Sequence, residues 1–246
     1  MEHLTTNDEK FHFVTRQLFS KLRGKLTTIF NLREQVEVKE DGALVTESDI
    51  YINQLLCEEY RVACKIIDKD KNFNIISEEV LHDDSVDYND GYTLIIDPID
   101  GTENFFSGMA EWGICICIYK DGMHHYSAII LPELNKMIDS TLKIKRKMNS
   151  RVVGLSSSLK AEDLVKVMEE RTDDEEYRII GCAAYNLYSF ITGAYKRFEN
   201  VKGVNTWDVS AGLNIMLANG IIPIVNDEVY LGELLLPVTK YKLNLR

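Results

Sequence analysis

A chain of 246 residues that is 45% hydrophobic and 27% charged has ordinary globular usage, which excludes a disordered tail, a fibre or a disulfide-stapled miniature. Its 28 basic and 39 acidic residues give a formal net charge of −11, which argues against holding a nucleic-acid polymer through its phosphates, since that mode needs a basic face. No stretch approaches the roughly 18 apolar residues of a membrane-spanning helix, and Met1 to Glu9 lacks a basic region followed by an apolar run, so a cytoplasmic protein with no membrane partner is expected.

Phe11, Val14, Leu18, Leu22, Leu26 and Ile29 recur at three- and four-residue intervals and predict an amphipathic helix over 8–31, weakened at Gly24. A second helix follows Ser48, with Ser48 or Asp49 at its N-terminus. Short β-rich runs come next: Asn74 to Ile76, Tyr92 to Ile96, Gly113 to Lys120, Tyr126 to Leu131, and Lys136 to Thr141 as a partner of the last. The basic run Leu142 to Asn149 reads as a lobe boundary or exposed turn. Beyond it the pattern alternates: strand Val152 to Leu155, helix Ser158 to Glu170, strand Tyr177 to Ile180, helix Ala183 to Thr192, helix Asp208 to Ala218 and strand Ile221 to Val225. The expectation is an α/β fold of two closely packed lobes, 1–142 and 143–246.

The acidic charge is concentrated. Between Asn72 and Tyr119 there is no Lys or Arg, yet ten acids fall there, from Glu78 to Glu111. Asp83, Asp84, Asp87 and Asp90 lie among Ser, Asn and Gly and read as a solvated loop. Glu78, Asp97 and Asp100 do not. In Thr93 to Phe105 an apolar strand ends in the Asp97 carboxylate, Pro98 stops the ladder, and Asp100 follows just before Gly101-Thr102. Hard ions such as Mg²⁺ take such carboxylates together with a carbonyl, here that of Ile99. If Gly101-Thr102 open a helix, their N–H groups can bind a phosphate beside the metal. The run Phe73 to Ile76 likewise ends in Glu78-Glu79, a pair able to supply a ligand and a base for an attacking water. Asp49 and Asp208 each stand at a helix start, where a cap and a catalytic acid are both open readings.

Taken together, Asp97-Pro98-Ile99-Asp100-Gly101-Thr102 with Asn104-Phe105, and Trp207-Asp208 with Ala211-Gly212, resemble the two signatures of the inositol monophosphatase superfamily of Mg²⁺-dependent, lithium-sensitive phosphatases. Thr46 to Asp49, Glu78-Glu79, Ser156-Ser157-Ser158 and Gly181 to Ala184 extend the resemblance over about residues 8–225. It implies an αβαβα sandwich. It also implies one Mg²⁺ held by Glu78, Asp97 and the Ile99 carbonyl, a second held by Asp97, Asp100 and Asp208, and a third site bordered by Glu78 with Glu79. The Gly101 and Thr102 amides would bind phosphate, Thr102 with Asp49 would activate the water, and Ala184 and Glu199 would touch the substrate. The implied partner is a small phosphomonoester, first myo-inositol monophosphate, with a 3′-phosphoadenosine 5′-phosphate, fructose 1,6-bisphosphate or histidinol phosphate phosphatase as alternatives. A homodimer is implied as well, and a protein-binding regulator that has kept the fold is the reading from another class.

This sequence departs from the family pattern in four places. Ser77 stands where a Gly commonly precedes the two glutamates, the hairpin after Leu131-Pro132-Glu133 is short, and Asn226 to Arg246 lacks the usual Gly-rich, Asp-containing segment. The position seven residues before Asp208, where the inositol enzymes carry an acid, is Val201, and Glu199 takes that role only if the loop is two residues longer. Cys57, Cys64, Cys115, Cys117 and Cys182 form no CxxC pair and read as free thiols, with Cys115 and Cys117 alternating with core isoleucines. His124-His125 read as a surface turn, Ser156 to Ser158 as the cap of the helix after them, and Phe105, Phe106 and Trp112 as core or mouth residues.

Overall fold

The computed structural model describes residues 6–40, 42–80, 82–83, 85–147, 149–169, 171–237 and 239–246. Asp84 of the acidic loop, Met148 of the basic run, Glu170 at the foreseen end of a helix and the first five residues lie outside them.

Helix α1 (Asn7–Gly24) opens with a capping box between Thr6 and Glu9, and it ends where Gly24 weakens the pattern, so the apolar stripe continues as a separate short helix, α2 (Leu26–Leu32). Strands β1 (Val36–Val38) and β2 (Leu44–Thr46) make a hairpin leading into α3 (Glu47–Ile67). Thr46, rather than Ser48 or Asp49, is its N-cap, and Asp49 closes the capping box three residues on. β3 (Phe73–Ser77) runs parallel to β4 (Tyr92–Asp100), and after the single-turn helix α4 (Thr102–Phe106) the strands β5 (Gly113–Lys120), β6 (Met123–Leu131) and β7 (Lys136–Asp139) complete an antiparallel extension in the order β3-β4-β5-β6-β7. The short hairpin between β6 and β7 closes with Asn135 N–H on the Pro132 carbonyl and Asn135 at φ 54°, a conformation that Asn tolerates.

Pro98 does not end β4. The ladder to β5 pairs Asp97 with Cys115 and Asp100 with Gly113, with a register shift between, so the missing N–H falls at an irregularity where no ladder bond needs it. The acidic loop between β3 and β4 is built by its own side chains: Asp83 accepts from Ser85 N–H at 2.9 Å, Asp87 from Asn89 N–H at 2.9 Å, and Asp90 from Asn72 at 2.6 Å.

The second half follows as β8 (Val152–Leu155), α5 (Ala161–Glu169), β9 (Glu176–Ile179), α6 (Ala183–Ile191), β10 (Arg197–Val204), α7 (Thr206–Ala218), β11 (Ile224–Val225), β12 (Glu228–Val229) and β13 (Tyr241–Leu245). Six of these elements are strands of one sheet, ordered β12-β11-β13-β10-β8-β9. Ser156 to Ser158 do not cap α5, which starts three residues later. The basic run lies between β7 and β8 with Leu142, Lys143, Lys145 and Lys147 exposed, as expected, but it is tied down. Lys143 Nζ donates to the Ala218 carbonyl at 2.7 Å and Arg146 to that of Phe190 at 3.2 Å, so two cations sit on the carbonyl ends of α7 and α6, where the helix dipole favours them.

Strand alternation fixes the layers. Ile95, Cys115, Cys117, Ile129 and Leu131 face a core shared with α6 and α7, while Leu94, Ile96, Ile114, Ile116 and Ile130 face a core shared with α1 and α3. Helices α6 and α7 therefore lie between the two sheets, α1 and α3 outside the first, and α5 beside β8 and β10, which is a layered αβαβα arrangement. All five thiols are free.

Candidate metal centre and active site

The polar centre forms where β3, β4, α3, α4, α6 and α7 converge. Asp97 is 1% exposed on β4, and no hydrogen-bond donor reaches either of its oxygens among the described residues. Carboxylate oxygens of Glu78, Asp97 and Asp208 lie within 4.8 Å of one another. A buried, unpartnered carboxylate such as Asp97 beside two partly buried acids of like charge is costly on its own, and a hard divalent cation is the chemical complement of such an all-oxygen set. The residues present fit that group.

Each neighbouring acid is held by a local device. Asp208 is the third residue of α7 and accepts from Asn205 N–H at 2.7 Å in a capping box. Asp49 does the same at α3: its Oδ2 accepts from Thr46 N–H at 2.7 Å and Thr46 Oγ1 at 2.6 Å, while Oδ1 faces Thr102 Oγ1 at 3.4 Å. Cap and candidate catalytic acid are thus one residue using two oxygens. Asp100 Oδ2 accepts from Cys182 Sγ at 3.0 Å and from Ala184 N–H. The Ala184 amide is thereby spent on orienting Asp100. Ser77, the departure before the two glutamates, is buried and structural: its hydroxyl donates to Asn53 Oδ1 at 2.8 Å and accepts from Glu79 N–H at 3.2 Å.

The carboxylates are pushed toward the protonated form. Burial, countered in part by the Thr46 bonds, raises Asp49 to about 6, and burial against the Cys182 and Ala184 bonds raises Asp100 to about 6. Burial and then the charges of Asp100 and Glu78 take Asp208 to about 8. Asp97 is raised well above the usual carboxylate range by burial and by the surrounding acids.

Gly101 sits at φ +84°, and a Cβ there would lie 2.9 Å from the Cys182 Cβ, so glycine is required both by conformation and by space. It lets the chain turn from β4 into α4 with the Gly101 and Thr102 amides at the helix start. The single Thr102 hydroxyl hydrogen has two acceptors in reach, Asp49 Oδ1 at 3.4 Å and the Ile99 carbonyl at 3.0 Å, and the carbonyl keeps a second lone pair either way.

Lys39, which no local pattern marks, comes in from the β1–β2 turn: its ammonium lies 3.0 Å from Glu78 and 2.9 Å from Glu79. Burial takes Glu79 to about 7 despite this cation. Lys39 holds charge that a divalent ion would compete for, so Lys39→Met is expected to lower the Mg²⁺ concentration that half-saturates thermal stabilisation by severalfold (~3–10-fold). An unchanged or higher half-saturating concentration would show that this cation does not compete.

A polar hollow of about 190 Å³ adjoins the cluster, its lining including Asp100, Asp208, Ser156 to Ser158, Asn186, Asn200 and Lys240. A larger hollow of about 580 Å³, lined by Met123, His124, Leu217 and Leu231 among others, contains none of the cluster's acids. Glu199 does not face the smaller hollow. Strand alternation on β10 turns Phe198 and Asn200 toward it, while Glu199 bonds Arg197 at 2.9 Å and lines a separate hollow with Asp163 and Lys166. His124 belongs to β6 rather than to a turn and bonds Ser127 at 2.8 Å. Phe105 and Trp112 are fully buried, and Phe106 is 39% exposed. Asn186 stands two residues beyond the Gly181 to Ala184 stretch, a signal within reach of the sequence, whereas Lys240 had none.

The model of the inositol monophosphatase family matches residues 7–237. A fructose-1,6-bisphosphatase/inositol-1-monophosphatase of Thermotoga maritima is 28% identical over 192 residues, covering 72% of this chain and 69% of that one. A 3′(2′),5′-bisphosphate nucleotidase of Haemophilus influenzae is 23% identical over 237 residues, covering 87% and 83%. The solved structure of staphylococcal inositol monophosphatase-1, an inhibitory complex soaked in 100 mM LiCl, shares the fold with a TM-score of 0.77 at 14% identity, over 99% of this chain and 92% of that one. With the motifs, the layered fold and the carboxylate cluster in agreement, the chain belongs to the inositol monophosphatase family.

Proposed function

We propose that this phosphatase is a Mg²⁺-dependent phosphomonoesterase of a small phosphorylated metabolite, working as one unit in which segment 1–142 supplies Glu78, Asp97 and Asp100 and segment 143–246 supplies Asp208. The observation that carries the reading is the unpartnered Asp97 carboxylate, buried within 4.8 Å of the Glu78 and Asp208 oxygens. Glu78, Asp97, Asp100, Asp208 and the Ile99 carbonyl are the groups that would hold Mg²⁺, with Glu79 bordering a further position. Bound there, Mg²⁺ lowers the pKa of water and neutralises charge on the phosphoryl group. The chain's own part is positional. The Gly101 and Thr102 amides would orient the phosphate, and Thr102 would take a proton from the attacking water while passing its own to Asp49, whose raised pKa of about 6 suits a base near neutral pH.

The resemblance points first to myo-inositol monophosphate, but Glu199, the acid that would read inositol hydroxyls, lines a different hollow. The nucleotidase reading draws support from the Haemophilus influenzae relative. Phosphate release from inositol 1-phosphate, 3′-phosphoadenosine 5′-phosphate, fructose 1,6-bisphosphate and histidinol phosphate, with and without Mg²⁺ and Li⁺, tests the reading. A Mg²⁺-dependent preference for one of them is expected. No release from any, in protein whose thermal midpoint rises with Mg²⁺, would overturn it in favour of a regulator that has kept the fold.

A further inference from the structure

Glu78 and Glu79 stand where β3 gives way to the acidic loop, and Asp208 stands at the start of α7, so the spacing across the metal cluster depends on how that loop is tied to that helix. The loop's own turns, Asp83 with Ser85 and Asp87 with Asn89, fix its shape but not its place. Its place is set by three side chains out of character with a polar loop. Val86 packs against the core shared with α6 and α7, and Tyr88 is 8% exposed within that core. His82 lays its imidazole on the indole of Trp207, with ring centroids 5.3 Å apart and planes 27° from parallel. The other aromatic ring pairs of the described residues lie within residues 11–126, so among them this stack alone joins the first sheet's loop to α7.

Along the chain the stack is close to both sides of the cluster. His82 follows Glu79 by three residues, and Trp207 immediately precedes Asp208, whose carboxylate is held by the Asn205 amide in the capping box of α7. Glu78 is paired instead with the Lys39 ammonium at 3.0 Å, on the β1–β2 turn. Without an ion the carboxylates of Glu78, Asp97 and Asp208 repel one another. Because Asp208 is capped and Asp97 lies inside β4, that repulsion acts on the loop. A stacked ring pair opposes it, with a strength of up to about tenfold in an equilibrium.

We propose that His82 is a positioning residue for the cation site: stacked on Trp207, it clasps the loop bearing Glu78 and Glu79 to the helix bearing Asp208, so that the carboxylates stand at binding separation before an ion arrives. The apparent affinity for Mg²⁺ then scales with the fraction of molecules whose loop is closed. The role needs a flat ring, since the contact is face to face. It rests on the reading of the cluster as a Mg²⁺ site and adds the residue that holds its two sides together.

Thermal midpoints across a Mg²⁺ titration test the role in the native protein, His82→Ala, His82→Phe and Ser85→Ala, with acrylamide quenching of tryptophan fluorescence in chelator as a second readout. Of the two tryptophans, Trp112 is fully buried, so the quenching reports on Trp207. His82→Ala is expected to raise the half-saturating Mg²⁺ concentration by about 3–10-fold and to increase the quenching. His82→Phe should bring both back to within about twofold of the native values. Ser85→Ala, which loses the loop's bond to Asp83 at 2.6 Å but keeps the stack, should leave the half-saturating concentration where it was. A charge effect would have the opposite sign, because removing an imidazole that carried a proton favours cation binding. Quenching or half-saturation unchanged in His82→Ala, an equal rise in Ser85→Ala, or a rise that His82→Phe does not reverse would overturn the role. A native midpoint that does not move with Mg²⁺ would overturn the cation site itself, and the role of His82 would fall with it.

Discussion

Asp97→Asn is expected to lower kcat/KM for any phosphomonoester by at least about a thousandfold, as loss of a charge-stabilising group in a dry site does, and at the same time to raise the thermal midpoint of the protein in chelator. The two effects have one cause. Asp97 is 1% exposed, lacks a donor on either oxygen among the described residues, and faces the carboxylates of Glu78 and Asp208. In the absence of a cation the fold must either bury its charge or hold a proton on it, and an amide of the same shape removes that cost without opening a cavity. Relief of about 1–3 kcal/mol is the order to expect for such a group, at roughly 2–4 °C per kcal/mol in a chain of this size. With Mg²⁺ the ranking should invert, because the variant loses a ligand and with it the stabilisation that binding confers. Thermal unfolding in chelator and in Mg²⁺, paired with phosphate release, reads both. A variant that keeps native turnover, or one that unfolds earlier than the native protein in chelator, would contradict the assignment of Asp97 to the centre of a cation site.

The reason this pair of effects could be anticipated lies in the local nature of the acidic motif. Asp97, Asp100, Gly101 and Thr102 fall on one continuous turn at the end of an apolar strand, so composition and order alone bring them together. The period-two alternation of Ile114 to Ile118 against Cys115 and Cys117 likewise places each side chain on its face without knowledge of the rest of the fold. Lys39, Asn186 and Lys240 are different: they reach the site from a hairpin, the interior of a helix and the residue before a late strand, approaches that only tertiary packing creates. β10 gives no strand signal because Glu199, Lys202 and Gly203 interrupt its apolar pattern, its backbone being satisfied by β8 on one side and β13 on the other. β13 does carry a period-two signal, with Tyr241, Leu243 and Leu245 buried and Lys242 and Asn244 exposed. Pro98 misled for the opposite reason, since the rule that proline ends a central strand holds only where the ladder is regular, and here it is not.

Between pH 6.5 and 8 the metal-free protein is expected to lose stability as pH rises, and Mg²⁺ is expected to cancel that loss. Glu79 at about 7 and Asp208 at about 8 are both held above the ordinary carboxylate range, burial being the larger cause in each, and Asp97 is raised in the same direction. An unfolded chain has released these protons by pH 6.5, whereas the native state still binds part of them, so the native state holds more protons and the slope of unfolding free energy against pH is negative. Asp49 and Asp100, at about 6, act the same way at lower pH. His124 opposes them: burial pushes it down to about 4, so it favours the native state more as pH rises through its ordinary 6.5, by at most about half a proton at pH 6.5 and hardly at all by about pH 7.5. The carboxylates therefore set the sign of the slope across this window. Mg²⁺ binding requires them ionised and so releases protons, which makes the shift in thermal midpoint on adding Mg²⁺ larger at pH 8 than at pH 6.5. Melting in chelator and in Mg²⁺ at intervals across this window measures both slopes. A midpoint in chelator that climbs with pH, or a Mg²⁺ shift that shrinks, would mean that the buried acids are paired by something other than a cation.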